Sequence, residues 1–194
     1  YGKPAKIKVE MARDVKGSAK ERRQLHFRML DNEKRNKEVI QKLKEQGIRN
    51  LSRDDIIKYK LWEECGKVCP YTGKPISFSS LFGANPEFQV EHILPYSRSL
   101  DDSYMNKTLC CVLENRLKGD RTPYEHYQGQ PEKYEQILER VRVLPWPKRK
   151  KFQVKEIELD EMISRELNDT SYICREAVKY LKQICSNVSG TRGK

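Results

Sequence analysis

A mainly helical α+β fold with one short antiparallel hairpin is the fold class this sequence predicts. Three observations predict it. A long charged stretch carries helix-start and helix-stop signals over 18–47. A second capped stretch begins at Ser52. Short apolar pieces over 87–119 follow the order strand, loop, strand, helix.

Each element has a local reason. Residues 5–13 alternate around Ile7 and Val9, as a half-buried strand does. Ser18 and Glu21 have capping-box spacing, and Gly47 stands where a helix stops. Few apolar residues interrupt the charges between them, so this helix is a connector or surface arm rather than a core element. Ser52 with Asp55 opens a second helix that carries Ile56, Ile57, Leu61 and Trp62 to Gly66. KVCPYTGKPISF reads as a hairpin, because turn residues separate short apolar pieces. EFQVEHILPYS is a strand that ends at proline, and RSLDDSYMN is a polar loop. KTLCCVL is a second strand, and ENRLKG supplies the first turns of a helix. Short helices are expected from Pro123 and over Glu132–Val143. PWPKRKK is expected to break regular structure, Asp169 to cap a last helix through Tyr172, Ala177, Val178 and Leu181, and SNVSGTRGK to be a linker or cut end.

Composition narrows the function. The 194 residues carry a formal net charge of +11, which favours a polyanionic partner, because lysine and arginine displace counterions from phosphates. No apolar run is long enough to span a bilayer, and no charged-then-apolar signal opens the chain, so a cytoplasmic protein with no membrane partner is expected. Cys65, Cys69, Cys110, Cys111, Cys174 and Cys185 are then read as reduced thiols.

The chemistry concentrates at VEHILPYS, residues 90–97. Histidine is the side chain best able to take a proton near neutral pH, and a carboxylate or amide oxygen suits Mg²⁺. A lone His92 is better explained by a core or loop histidine with a satisfied hydrogen bond. His26, in the polar helix, and His126 are read as solvated surface residues. The order Glu91-His92, polar loop, Asn106, strand, Asn115 is more specific than any single histidine.

That ordered set, EHILPYSRSLDDSYMNKTLCCVLENRLKGDRTPYE, resembles the ββα-metal core of HNH nucleases. YSRSLDDSYMNK and NRLKGDRTPYE resemble in particular the type II-C CRISPR RNA-guided endonucleases. YGKPAKIKVEMARD is similar to the second RuvC segment of those enzymes, and ELNDTSYICR to the stretch returning to RuvC. The resemblance implies a division into a RuvC-II-like strand (1–14), a helical linker (15–52), an HNH core (53–145) and a second linker and helix (146–194). It implies His92 as general base, with Asn106 holding the loop or orienting the histidine. Glu91 and Asn115 would be the ligands of Mg²⁺, for which Mn²⁺ can substitute. Glu91 stands where the family usually has aspartate. Glu10 matches a RuvC metal ligand whose partners lie outside this chain.

Lys107, Arg116, Lys118 and Arg121 are candidates for contact with DNA. For Lys148, Arg149, Lys150 and Lys151, contact with phosphates and a solvated linker run are equally good readings. No structural zinc is expected, because Cys69-Pro-Tyr-Thr72 keeps only one cysteine of the usual pair. The implied partners are a target DNA strand and guide RNA, in a prokaryotic cytoplasm, with an anti-CRISPR inhibitor protein as a further partner of the catalytic face. A non-catalytic nucleic-acid-binding module and a stand-alone homing or restriction nuclease are the other classes this sequence allows.

Overall fold

The computed structural model describes residues 4–11, 19–157, 177–185 and 187–192. It divides into two units, Tyr1–Arg22 with Glu158–Lys194, and Arg23–Ile157. In the first unit, β1 (Ile7–Met11) pairs in parallel with β4 (Val188–Arg192), in the register Ile7 to Val188 through Met11 to Arg192. Residues 188–192, within the stretch expected to be a linker or cut end, are therefore a strand. Its small polar residues carry no strand pattern of their own. The pairing comes from a partner strand far away in the chain, which local periodicity cannot report. The expected Asp169 cap, Tyr172 and the ELNDTSYICR segment lie outside the described residues, whereas 177–181 is helical.

The second unit is built from helices around one two-stranded antiparallel sheet. Helix α1 (Ala19–Glu45), which belongs to this unit from Arg23 onward, buries only Val39 and Leu43 among its described side chains, four residues apart on one side. Leu25, Phe27, Met29 and Leu30 stay exposed, in keeping with a surface arm. Helix α2 (Arg53–Glu64) opens with a reciprocal capping box: the Ser52 hydroxyl accepts from the Asp55 N–H, and the Asp55 carboxylate accepts from the Ser52 N–H. Gly66, at φ +63°, takes the left-handed conformation just past its end. The expected hairpin over 67–78 is reduced to one antiparallel bridge, Val68 to Pro75. Helix α3 (Phe78–Phe82) follows, capped by Ser77.

Strands β2 (Phe88–His92) and β3 (Lys107–Cys111) pair from Phe88–Cys111 to His92–Lys107. The polar loop between them holds helix α4 (Tyr96–Ser99) and a 3₁₀ turn at Tyr104–Asn106. Helix α5 (Val112–Lys118) starts directly at the end of β3, two residues before the expected ENRLKG turn. Helices α6 (Pro123–Tyr127) and α7 (Pro131–Arg140) complete the outer layer.

The segment from Pro145, expected to break regular structure, forms helix α8 (Trp146–Phe152). Pro147 lies in its first turn, where a proline's missing N–H costs nothing. Its inward face is Lys148 and Phe152, both fully buried and one turn apart. A lysine on the core face hides the apolar period from a sequence reading. Lys148 pairs there with Glu64 and lies 4.1 Å from the Tyr104 ring. No described helix is long and apolar enough to cross a membrane.

Leu109, at the centre of β3, is fully buried among Leu61, Leu81, Phe88 and Ile93 of the same core. Leu109→Ala is expected to cost about 2–5 kcal/mol by loss of transfer free energy and creation of a cavity. Leu25→Ala on exposed α1 should stay within about 0.5 kcal/mol. Denaturant midpoints of the two variants check this.

Candidate active site

The residues singled out by the sequence meet where β2 ends, and neighbours in the chain take different partners. Glu91 turns inward and is 6% exposed. Its carboxylate lies 2.6 Å from the ammonium of Lys118 on α5. Asn115, one turn earlier on that helix, hydrogen-bonds to it. Burial pushes the Glu91 carboxyl above its ordinary value, while Lys118, His92 and Asn115 pull the other way. Lys118, expected among the cations that contact DNA, is 1% exposed. Its place on the inner face of a seven-residue helix aims it at Glu91 rather than at solvent.

His92 turns outward. Its Nε2 lies 2.8 Å from Asp102 Oδ1, and the same oxygen lies 2.7 Å from Lys107 Nζ. Lys107 faces His92 across the ladder, so the ammonium and the imidazole reach one carboxylate in the loop. Lys107 first, and then His92, holds the Asp102 carboxyl below its ordinary value. The Tyr96 ring centroid lies 5.8 Å from that of His92.

Asn106 is fully buried and works as a clamp. Its Oδ1 accepts from the Leu94 N–H at 3.0 Å, and its Nδ2 donates to the carbonyls of Leu94 at 2.9 Å and Asp101 at 2.8 Å. The Ile93 N–H donates to the Asn106 carbonyl at 2.8 Å. The chain leaving His92 is thereby fixed to the foot of β3. Farther out, Arg98 holds Glu125 through two bonds of 2.6 and 3.0 Å, and Lys151 lies 2.5 Å from Asp101. Arg116 and Arg121 are exposed, and Arg121 donates to the last carbonyls of α5. In the first unit, Glu10 sits in β1 opposite Thr191.

Several participants carried no sequence signal. Asp102 lies ten residues from His92, in a loop whose fold brings it back. Glu114 accepts from Tyr127, lies 3.3 Å from Lys133, and lies 3.3 Å from Nε2 of His126. His126, expected on the surface, is thus partly buried, because Pro123 starts a helix that turns it toward α5. Cys65, Cys69 and Cys110 are buried free thiols; Cys69 and Cys110 share a hydrogen bond that lowers the first and raises the second.

The donor set suits a hard divalent cation. The Glu91 carboxylate from a strand and the Asn115 amide from a helix meet in one polar recess, and carboxylate and amide oxygens are ligand types for such an ion. The protein leaves that recess incompletely satisfied. The Lys118 ammonium is paired with Glu91, whereas the fully buried Tyr71 hydroxyl, which feels the Glu91 charge, has no hydrogen-bond partner. Among the described residues no three His, Cys, Asp or Glu side chains cluster.

Residues 69–124 match the family model described as HNH endonuclease. These residues form an HNH endonuclease domain. HNH nucleases are in general divalent-metal dependent. The chain around the HNH domain is also similar to larger proteins. It is 34% identical over 185 residues to the CRISPR-associated endonuclease Cas9 of Campylobacter jejuni, covering 94% of this chain and 19% of that protein. It is 32% identical over 154 residues to Cas9 1 of Streptococcus thermophilus, covering 71% of this chain and 14% of that one. The chain therefore spans under a fifth of these relatives' lengths. The crystal structure of Streptococcus thermophilus Cas9 in complex with AGGA PAM matches all of this chain and 21% of its own, with a TM-score of 0.65 and 29% identity.

Asn106→Ala strands three buried backbone groups around the HNH loop, and each costs about 1–3 kcal/mol when unsatisfied. Lower stability in denaturant and faster exchange of the Leu94 amide are expected, with Leu109 exchange following only the global change. A pH test addresses Arg98 and Glu125. Arg98 holds the Glu125 carboxyl below its ordinary value of 4.5. Its contribution is present above that value and is lost as pH falls through the depressed folded value. Acid titration of Tm should show this loss, and Glu125→Gln should remove it.

Proposed function

We propose that this chain is the HNH nuclease part of a CRISPR effector, working in a prokaryotic cytoplasm. It hydrolyses a phosphodiester bond of the DNA strand paired with guide RNA. Its functional divisions are a RuvC-II-like strand over 1–14, linkers over 15–52 and 146–194, and the catalytic core over 53–145. The observation that carries the reading is the pair at the end of β2. Glu91 lies in a buried polar recess with Asn115 and Lys118, and His92 lies on the open side of the same strand end. Proton acceptor and metal donors are thereby held on adjacent residues. The similarity to Cas9 proteins supports the choice of substrate.

In this reading His92 accepts the proton of the attacking water. Asp102 engages Nε2, so Nδ1 is the nitrogen that meets the water. The Asp102 charge also favours the imidazolium that forms, as a carboxylate beside a catalytic histidine does. Asn106 positions the loop that carries Asp102, acting through backbone bonds rather than on the substrate. Glu91 and Asn115 would hold Mg²⁺, which when bound supplies charge stabilisation at the phosphoryl and leaving oxygens. Lys118 lies against Glu91 and favours its ionised form, the form a cation needs. Arg116 and Arg121, both exposed, are the better placed of the expected cations to meet DNA, and Lys107 is shared with Asp102.

His92→Ala is expected to lower Mg²⁺-dependent cutting of the target strand by about 10²–10⁴-fold, the range for loss of a general base. Glu91→Gln should raise the Mg²⁺ concentration needed for half-maximal cutting. Single-turnover nicking by the chain and by the longer protein that contains it provides the check. Undiminished cutting by His92→Ala, or in excess chelator, would overturn the assignment.

A further inference from the structure

Asp102 reaches His92 from the loop between the two strands, and its side chain is 66% exposed. Packing therefore does little to aim it. Beyond its contacts with His92 and Lys107, its direction is set by the backbone on either side.

That backbone is pinned from α8. Asp101, the preceding residue, is 8% exposed. One of its carboxylate oxygens accepts from the Ser103 N–H at 3.0 Å, which closes a turn around Asp102. The other lies 2.5 Å from Lys151 Nζ. Its carbonyl accepts from the Asn106 side chain at 2.8 Å. One turn before Lys151, on the same face of α8, Lys148 lies 4.1 Å from the centroid of the Tyr104 ring. The two lysines thus bracket Asp102, one holding the residue before it and the other lying against a residue after it.

Helix α8 can act as a fixed support because it is tied to the core and not only to the loop. Phe152 is fully buried, and its carbonyl accepts from the Tyr134 hydroxyl at 2.9 Å. Lys148 is fully buried against Glu64 of α2. The Lys151 side chain is 16% exposed and its ammonium is committed to Asp101, whereas Lys150 is exposed and lies over the Trp146 ring. Of the basic run at 148–151, Lys148 and Lys151 therefore face the protein, where neither a phosphate contact nor a solvated linker would place them.

We propose that Lys151 is a positioning residue for cleavage, acting through Asp101 to hold the Asp102 carboxylate against His92. This rests on the nuclease reading above and extends its catalytic core from residue 145 to Phe152.

The test is single-turnover cutting of target DNA by the longer protein that contains this chain, carrying Lys151→Met. At saturating DNA the rate is expected to fall about 10–100-fold, the scale of loss for a slightly misplaced catalytic group. The DNA concentration for half-maximal rate should stay unchanged, and Lys151→Arg should restore most of the rate. In an Asp102→Asn background, Lys151→Met should cost about twofold or less, because residues that act through one group are not additive. Asp101→Asn combined with Lys151→Met leaves neither charge buried alone, so it keeps the test open if Lys151→Met does not fold, and the same loss of rate is expected. Amide exchange at Ser103 should accelerate in Lys151→Met by more than exchange at Leu109. An undiminished rate, a change confined to the half-saturating DNA concentration, unaltered Ser103 exchange, or a full further loss on Asp102→Asn would each overturn the assignment; the second of these would make Lys151 a phosphate contact. Absence of His92-dependent cutting in the unsubstituted protein would overturn the nuclease reading and this inference with it, whereas cutting that needs His92 but not Lys151 overturns the inference alone.

Discussion

The HNH core is organised around one buried charge. Glu91 must leave water to stand beside Asn115, and an isolated carboxylate in such a place would protonate or unfold the site. Lys118 makes the arrangement tolerable by delivering an opposite charge 2.6 Å away. It can do so only because α5 begins directly at the end of β3, which directs the helix's inner face at the neighbouring strand. The strand pairing, the abrupt strand-to-helix junction and the internal lysine are thus one solution to one electrostatic problem. A buried ion pair of this kind contributes little net stability; its effect is to hold a carboxylate ready in a fixed place.

The outward side is held differently. His92 is the last residue of the ladder, opposite Lys107, and the loop that follows would drift if it depended on its own turns. Asn106 replaces the missing ladder by bonding Leu94 on both its N–H and its carbonyl, much as a facing strand residue would. Asp101 and Arg98 then fix the loop to α8 and α6. With the loop set, Asp102 arrives at His92 from the sequence interval where no ladder exists. Glu91 therefore depends on helix geometry and His92 on side-chain-to-backbone bonds, two independent supports for adjacent residues.

What the sequence reveals follows from how local each cause is. The Ser52–Asp55 capping box, the Gly66 stop and the β2–β3 pair arise from nearby residues, and each was readable. The β1–β4 pairing was not, because nothing in VSGTR announces a partner at Ile7–Met11. Helix α8 was missed because its core face carries Lys148, whose burial depends on Glu64, 84 residues earlier. The same limit hid Lys118: a basic residue near a catalytic motif reads as a substrate contact until the helix phase shows which way it faces. His92, Glu91 and Asn115 were visible as a pattern, whereas Asp102 and Glu114 acquire partners only through tertiary folding.

The internal lysines bear on how this molecule meets a polyanion. Lys118, Lys148 and Lys151 each lie against an acid, so these pairs cancel and leave the net charge of +11 undiminished. The excess must therefore reside on the outer side chains, among them Arg35 and Arg116. At physiological ionic strength such charges act over about 8–10 Å, so approach is guided broadly but final placement depends on contacts within that range. Near His92 the cationic Lys107 is bound to Asp102, which lowers the local attraction for an anion there. Under the proposed function, strand capture and strand cutting are therefore separable demands: exposed cations would hold the backbone, while the buried recess and the braced histidine would act on a single phosphate.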